Sequence, residues 1–274
     1  MELITITLGA NDAANVFGTA VATKMVNFTT AAWICAIMVT IGAVVSGSGA
    51  SHTLSKLGSI TALGGAFTVA LSAAITVYWM TKASLPVSTS QAIVGAIIGW
   101  NLYSNTATDP SGLTKIVGTW FLCPILSAFI AIILYRLVNY VLSNVKLGLF
   151  TLDRYTRIGL LLAGAFGSYS LGANNIANIM GVFVPRSPFE SFFVFGFELS
   201  STAQLFLIGG ISIGVGVFTY SKRVMLTVGD GLIKLTPVLA WVVVMSHSIV
   251  LFLFASSGLK EALEAAGLPA LPLV

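Results

Sequence analysis

Charge is what this sequence has least of. Asp, Glu, Lys and Arg make up 8% of its 274 residues, where a soluble domain carries about a quarter. Hydrophobic residues make up 57%, and mean hydropathy is +0.97, so water is not the solvent of this fold. Histidine and cysteine are also scarce, at two each. Cys35 and Cys123 both sit in apolar runs without a CxxC spacing or a neighbouring histidine cluster, which makes them packing residues rather than a redox or metal pair. No HExxH, Walker-type loop or Ser–His–Asp arrangement occurs, so the pattern points away from an enzyme. No basic region precedes a cleavable apolar stretch at the N-terminus. No cleaved signal is expected, and the first inserted helix would serve as the targeting element.

What the sequence does have is long apolar runs: 28–46, 60–81, 117–145, 158–184, 190–220 and 236–257. About 20 such residues span a bilayer as a helix. These runs are too long and unbroken for the alternating strands of an outer-membrane barrel, so the predicted class is an all-α polytopic protein of the cell membrane. The net charge of +4 is spread over short connecting loops and reads as topology, not as a nucleic-acid footprint. Arg136, Lys146, Arg154 and Arg157, opposed only by Asp153, put the central loop in the cytoplasm.

The chain repeats itself. Gly9-Ala-Asn-Asp-Ala-Ala-Asn-Val-Phe-Gly18 is matched at six of ten positions by Gly172-Ala-Asn-Asn-Ile-Ala-Asn-Ile-Met-Gly181, 163 residues later. Two units follow, 1–150 and 151–274. Each motif sets glycine, Asn and Asp inside an apolar run, a composition that weakens a helix. Gly-interrupted segments at matching places in two halves point to a transporter's binding site near the bilayer midplane, so a helix break is expected at each motif. A further interruption is predicted at Ser84-Leu-Pro-Val-Ser-Thr-Ser-Gln-Ala92, where Pro86 ends one helix and Ser88 caps the next, leaving a helix N-terminus suited to an anion. Leu268–Val274 looks like the approach to a second such break. The sequence shown is expected to lack structure at both ends.

These residues resemble the inorganic phosphate transporter (PiT) family of sodium- or proton-coupled symporters, whose hallmark is a duplicated GAND-type motif. Gly9–Thr19 matches the first copy, and Leu85–Gln91 with Gly95 and Gly99 looks like the family's PVSTS-type hairpin. Lys222–Gly229 with Leu235-Thr236-Pro237 resembles the stretch before the family's last break. The resemblance implies two inverted-topology repeats with broken helices and half-helix hairpins, a substrate site between the halves, and a homodimer. It implies phosphate on the hydroxyl-rich hairpin and sodium beside the Asn/Asp motifs. The chain departs from the family at Asn175, where Asp is common, and in lacking a second hydroxyl hairpin.

Side-chain chemistry fits that division. Ser88, Thr89, Ser90 and Gln91, with Asn11 and Asn174, can meet phosphate through hydrogen bonds alone. Asp12, Asn15, Asn175 and Asn178 supply the hard oxygens that sodium wants, and Glu198 is a further intramembrane candidate. Asp12 alone brings charge to the two motifs. Sodium ions would be co-transported ligands, and no cofactor is expected. His247 reads as a neutral packing residue in its apolar helix, His52 as part of a polar turn, and Asp230 as a loop charge among Lys222, Arg223 and Lys234. Trp33, Trp79, Trp100, Trp120 and Trp241 lie near segment ends as belt or packing residues. The alternatives are proton coupling, sulfate as substrate, a passive channel, and a membrane phosphotransferase.

Overall fold

The computed structural model describes residues 2–47, 63–145, 148–181, 183–184, 187–194, 197–232, 235–256, 259 and 265. His52, Lys146, Lys234 and the Leu268–Val274 stretch lie outside that set. Along the described chain run α1 (Glu2–Ala22), α2 (Phe28–Ser46), α3 (Leu63–Lys82), α4 (Thr89–Tyr103), α5 (Pro110–Asn144) and α6 (Leu149–Met180). A short hairpin of β1 (Phe192–Val194) and β2 (Phe197–Leu199) follows, then α7 (Ser201–Leu226) and α8 (Pro237–Ala255). A π-helical turn, Thr227–Leu232, extends α7. Five helices are long and apolar enough to cross a membrane: α2, α3, α5, α7 and α8.

Local chemistry fixes several helix starts. Ser88 Oγ accepts from the Gln91 amide to open α4, Asp109 accepts from the Ser111 and Gly112 amides ahead of Pro110 in α5, and Thr236 caps α8 ahead of Pro237. A side-chain oxygen there satisfies a donor that the first turn leaves unpaired, and proline at the first position loses nothing. The break before α4 therefore lies where the sequence puts it, with Ser84 at a left-handed φ of 59° in the turn.

Two expectations are corrected. Both GAND-type motifs lie inside continuous helices, α1 and α6, with no break. Tertiary packing overrides their weak helix propensity, because the small residues are used for close approach. A Cβ on Gly9 would overlap the backbone of Ile213, and one on Gly172 that of Val39. Equally, Gly42 lies on the backbone of Tyr169 and Gly216 on that of Ile6. These contacts form matched pairs. Ile6 and Gly9 correspond to Tyr169 and Gly172 at the motif spacing of 163, and Val39 and Gly42 correspond to Ile213 and Gly216 at a spacing of 174. Thus α1 packs on α7 as α6 packs on α2, each helix crossing to the other half.

The second correction concerns 190–220, read as one spanning run. Helix begins only at Ser201. The aromatic-rich segments before it favour strand, and they pair antiparallel with Phe193 opposite Glu198. Apart from this hairpin, the regular elements among the described residues are all helices.

Polarity is arranged inside out. Trp79 is 75% exposed and Phe150 93%, while Asn11, Asp12, Asn174, Asn175, Ser168 and Ser170 are buried. Large apolar residues outward and amides inward suit a lipid solvent and a polar interior. At the start of α6, Arg157 pairs with Asp153 at 3.3 Å on the exposed surface.

Candidate functional site

The two motifs meet. Asp12 on α1 and Asn175 on α6 hold corresponding places in the repeats, and Asn175 Nδ2 donates to Asp12 Oδ2 at 3.0 Å. Thr89 Oγ1, in the first turn of α4, donates to the same oxygen at 2.9 Å. One carboxylate oxygen thereby ties both motif copies to the hydroxyl-rich hairpin. Both donors converge on Oδ2, and no donor reaches Oδ1 among the described residues. Asn174 Nδ2 contacts Asn175 Oδ1 at 3.5 Å, extending the chain of amides along α6.

Asn11 does something else. Its Nδ2 donates to the Leu85 carbonyl at 3.1 Å and to Thr81 Oγ1 at 3.2 Å, while its Oδ1 accepts from the Val87 amide at 3.1 Å. Pro86 has no N–H and interrupts the backbone ladder, so the groups beside it need other partners, and Asn11 supplies them. A fully engaged buried amide of this kind fixes the loop between α3 and α4.

In front of these groups opens a cavity of about 330 Å³, walled by Asp12 and Asn15 of α1, Pro86, Val87 and Ser88 of the loop, Thr89 and Ser90 of α4, Leu171, Asn174 and Asn175 of α6, and His247 and Leu251 of α8. The structure thus brings together Asp12, Asn15, Ser88, Thr89, Ser90, Asn174 and Asn175. It moves Asn11 behind the wall as a clamp. Gln91 is exposed and supplies its backbone amide to Ser88, not its side chain to the cavity wall. The side chains of Asn178 and Glu198 lie outside the described residues; the Glu198 backbone is in β2, not in a membrane-spanning helix.

His247 is the addition that sequence reasoning set aside as packing. The available signal was periodicity: Ala240, Val244, His247 and Leu251 share one face of α8, and the apolar three belong to the buried core. Leu171 and Leu251 carry no chemical signal and are recognised only from the assembled wall.

Among the described residues no Lys or Arg lines this cavity, and no group of three or more His, Cys, Asp or Glu gathers. The site is one carboxylate, three amides, three hydroxyls, an imidazole and a helix N-terminus. Such a set can hold an oxyanion by hydrogen bonds and a hard monovalent cation by oxygens.

Comparison with known proteins agrees with this chemistry. Residues 8–260 match the model of the phosphate transporter family. A protein of Methanocaldococcus jannaschii named as a phosphate permease is 31% identical over 253 residues, covering 92% of this chain and 75% of its own length. The sulfate permease of Bacillus subtilis is 27% identical over 227 residues, covering 81% of this chain and 60% of its own. A solved structure of a sodium-dependent phosphate transporter superposes with a TM-score of 0.72 at 22% identity, over 98% of this chain and 83% of that one, which shows a shared fold. The chain is a multi-pass membrane protein, and it belongs to the phosphate transporter family.

Proposed function

We propose that the protein is a secondary active transporter, not an enzyme, that carries inorganic phosphate into the cell across the plasma membrane by sodium symport. The observation that carries this reading is the junction at Asp12, where the hydroxyl hairpin and both motif copies meet at one carboxylate on a cavity wall. Phosphate takes hydrogen bonds from the Ser88 and Ser90 hydroxyls and from backbone amides at the start of α4, that of Thr89 included, where the helix dipole favours an anion. Asn174 adds an amide from the other half. Sodium takes Asp12 Oδ1, with Asn15, Asn175 and Asn178 as further oxygen donors. A bound cation offsets the charge of the anion beside it, and each ligand then lowers the cost of burying the other, which is the thermodynamic content of coupling.

The units 1–150 and 151–274 act as inverted-topology repeats. Support comes from the matched glycine contacts of α1 on α7 and α6 on α2. Corresponding residues touch only near a two-fold axis, and Asp12 and Asn175 do so. Rocking of one bundle on the other about that axis gives alternating access to a fixed site, and two chains assemble as a homodimer. The relation to a sulfate permease favours one second reading, sulfate as the substrate on the same site. Protons in place of sodium are the remaining variant.

Uptake of labelled phosphate into proteoliposomes separates these readings. Inward sodium should drive accumulation that excess sulfate leaves untouched. Suppression by sulfate would reassign the substrate, and uptake driven by a proton gradient alone would reassign the coupling ion.

A further inference from the structure

Three polar side chains follow one another in the middle of α8: Ser246, His247 and Ser248. Both hydroxyls are used within the helix, Ser246 Oγ donating to the Val243 carbonyl at 2.9 Å and Ser248 Oγ to the Val244 carbonyl at 2.6 Å. His247 has no hydrogen-bond partner among the described residues, yet it faces the cavity. An ionisable ring in a spanning helix is costly when nothing satisfies it, and an apolar residue would pack there at lower cost.

The ring is also held in place. A Cβ on Gly167 of α6 would run into Ser248 Oγ and lie 2.9 Å from Val16 of α1. The three helices are therefore in contact one residue from His247, and α8 has little freedom to turn it away. Of the other cavity residues, the hydroxyls come from the loop and α4, and the amides and carboxylate from α1 and α6. On the α8 wall the imidazole is the one polar group, beside Leu251.

We propose that His247 is a ligand of the transported anion, its ring N–H donating to an oxygen that the hairpin leaves unbonded and closing the site from α8. The inference rests on the anion-site reading above. It explains why a cavity without Lys or Arg carries a donor on every polar wall. It also gives α8 a direct contact with cargo, so that a ligated anion links α4, α6 and α8.

The test is phosphate uptake by the full chain in proteoliposomes under an inward sodium gradient, with phosphate binding to the purified protein measured by calorimetry. In His247→Leu the phosphate KM should rise about tenfold, the worth of one hydrogen bond to a charged group. Maximal rate should stay within about twofold and half-saturating sodium should not move. His247→Gln, which keeps an N–H of similar reach, should restore KM to within about threefold of the parent. Unchanged KM in His247→Leu, or a fall in maximal rate at constant KM in both variants, would overturn the assignment and leave the transport reading standing. A parent protein that neither binds nor takes up phosphate would sink both.

Discussion

The two copies of the repeated motif share a sequence and do different work. In the first, Asn11 is spent on the loop around Pro86 and Asp12 brings the only charge to the cavity. In the second, Asn174 lines the cavity, and Asn175 donates to Asp12. The contrast follows from the contact between Asp12 and Asn175, which hold corresponding places in the two motifs. Residues at matching positions touch, so a carboxylate in both copies would put two negative charges at hydrogen-bond distance, where both cannot stay ionised without a counter-ion. Asn175 replaces that repulsion with a hydrogen bond.

The largest effect expected from breaking this asymmetry is in Asp12→Asn. It removes the carboxylate charge and turns the charge-assisted hydrogen bonds from Thr89 and Asn175 into neutral ones. Sodium-stimulated phosphate uptake should fall about 100-fold, from two charge-assisted hydrogen bonds at roughly 1.5 kcal/mol each. Asn175→Asp sharpens the comparison from the other side. The added carboxylate should lower half-saturating sodium about tenfold, with reduced thermal stability in sodium-free buffer that sodium restores. Asn11→Ala acts on stability instead: it strips two hydrogen bonds from the Pro86 loop and a third from Thr81 of α3 and should cost about 2–3 kcal/mol. A melting curve in detergent measures the loss.

The smallest effect lies outside the membrane. Hydrogen bonds from Ser111, side chain and backbone, hold the Asp109 carboxyl below the usual carboxylate range. A depressed folded value means that the cap's contribution is present above the unfolded value of about 3.9 and is lost as pH falls through the lower folded one. Hydrogen exchange at Ser111–Leu113 should therefore quicken below pH 4 relative to its intrinsic rate, and be flat from pH 5 upward.

Much of this was legible in the residues. The membrane class followed from low charge and long apolar runs, the repeat from six identities in ten positions, and the α4 start from Pro86 and Ser88. The hairpin at 192–199 was not, because it lies inside 190–220, which reads as one apolar run, and only tertiary pairing distinguishes strand from helix there. Continuous α1 and α6 were missed for a related reason: Gly9 and Gly172 weaken a helix locally, and only the close approach of Ile213 and Val39 shows what their small size is for. Asn11 as clamp needed the fold, since its partners lie 70 to 76 residues away. His247 required the cavity itself.

The most direct test of the central claim is calorimetric titration of phosphate into the purified full chain with and without sodium, for the parent and Asp12→Asn. The account predicts that sodium tightens phosphate binding to the parent by about tenfold or more, and that Asp12→Asn binds phosphate weakly and equally in both buffers. Equal sodium enhancement in parent and variant would contradict the placement of the cation at Asp12 and with it the coupling through Thr89 and Asn175.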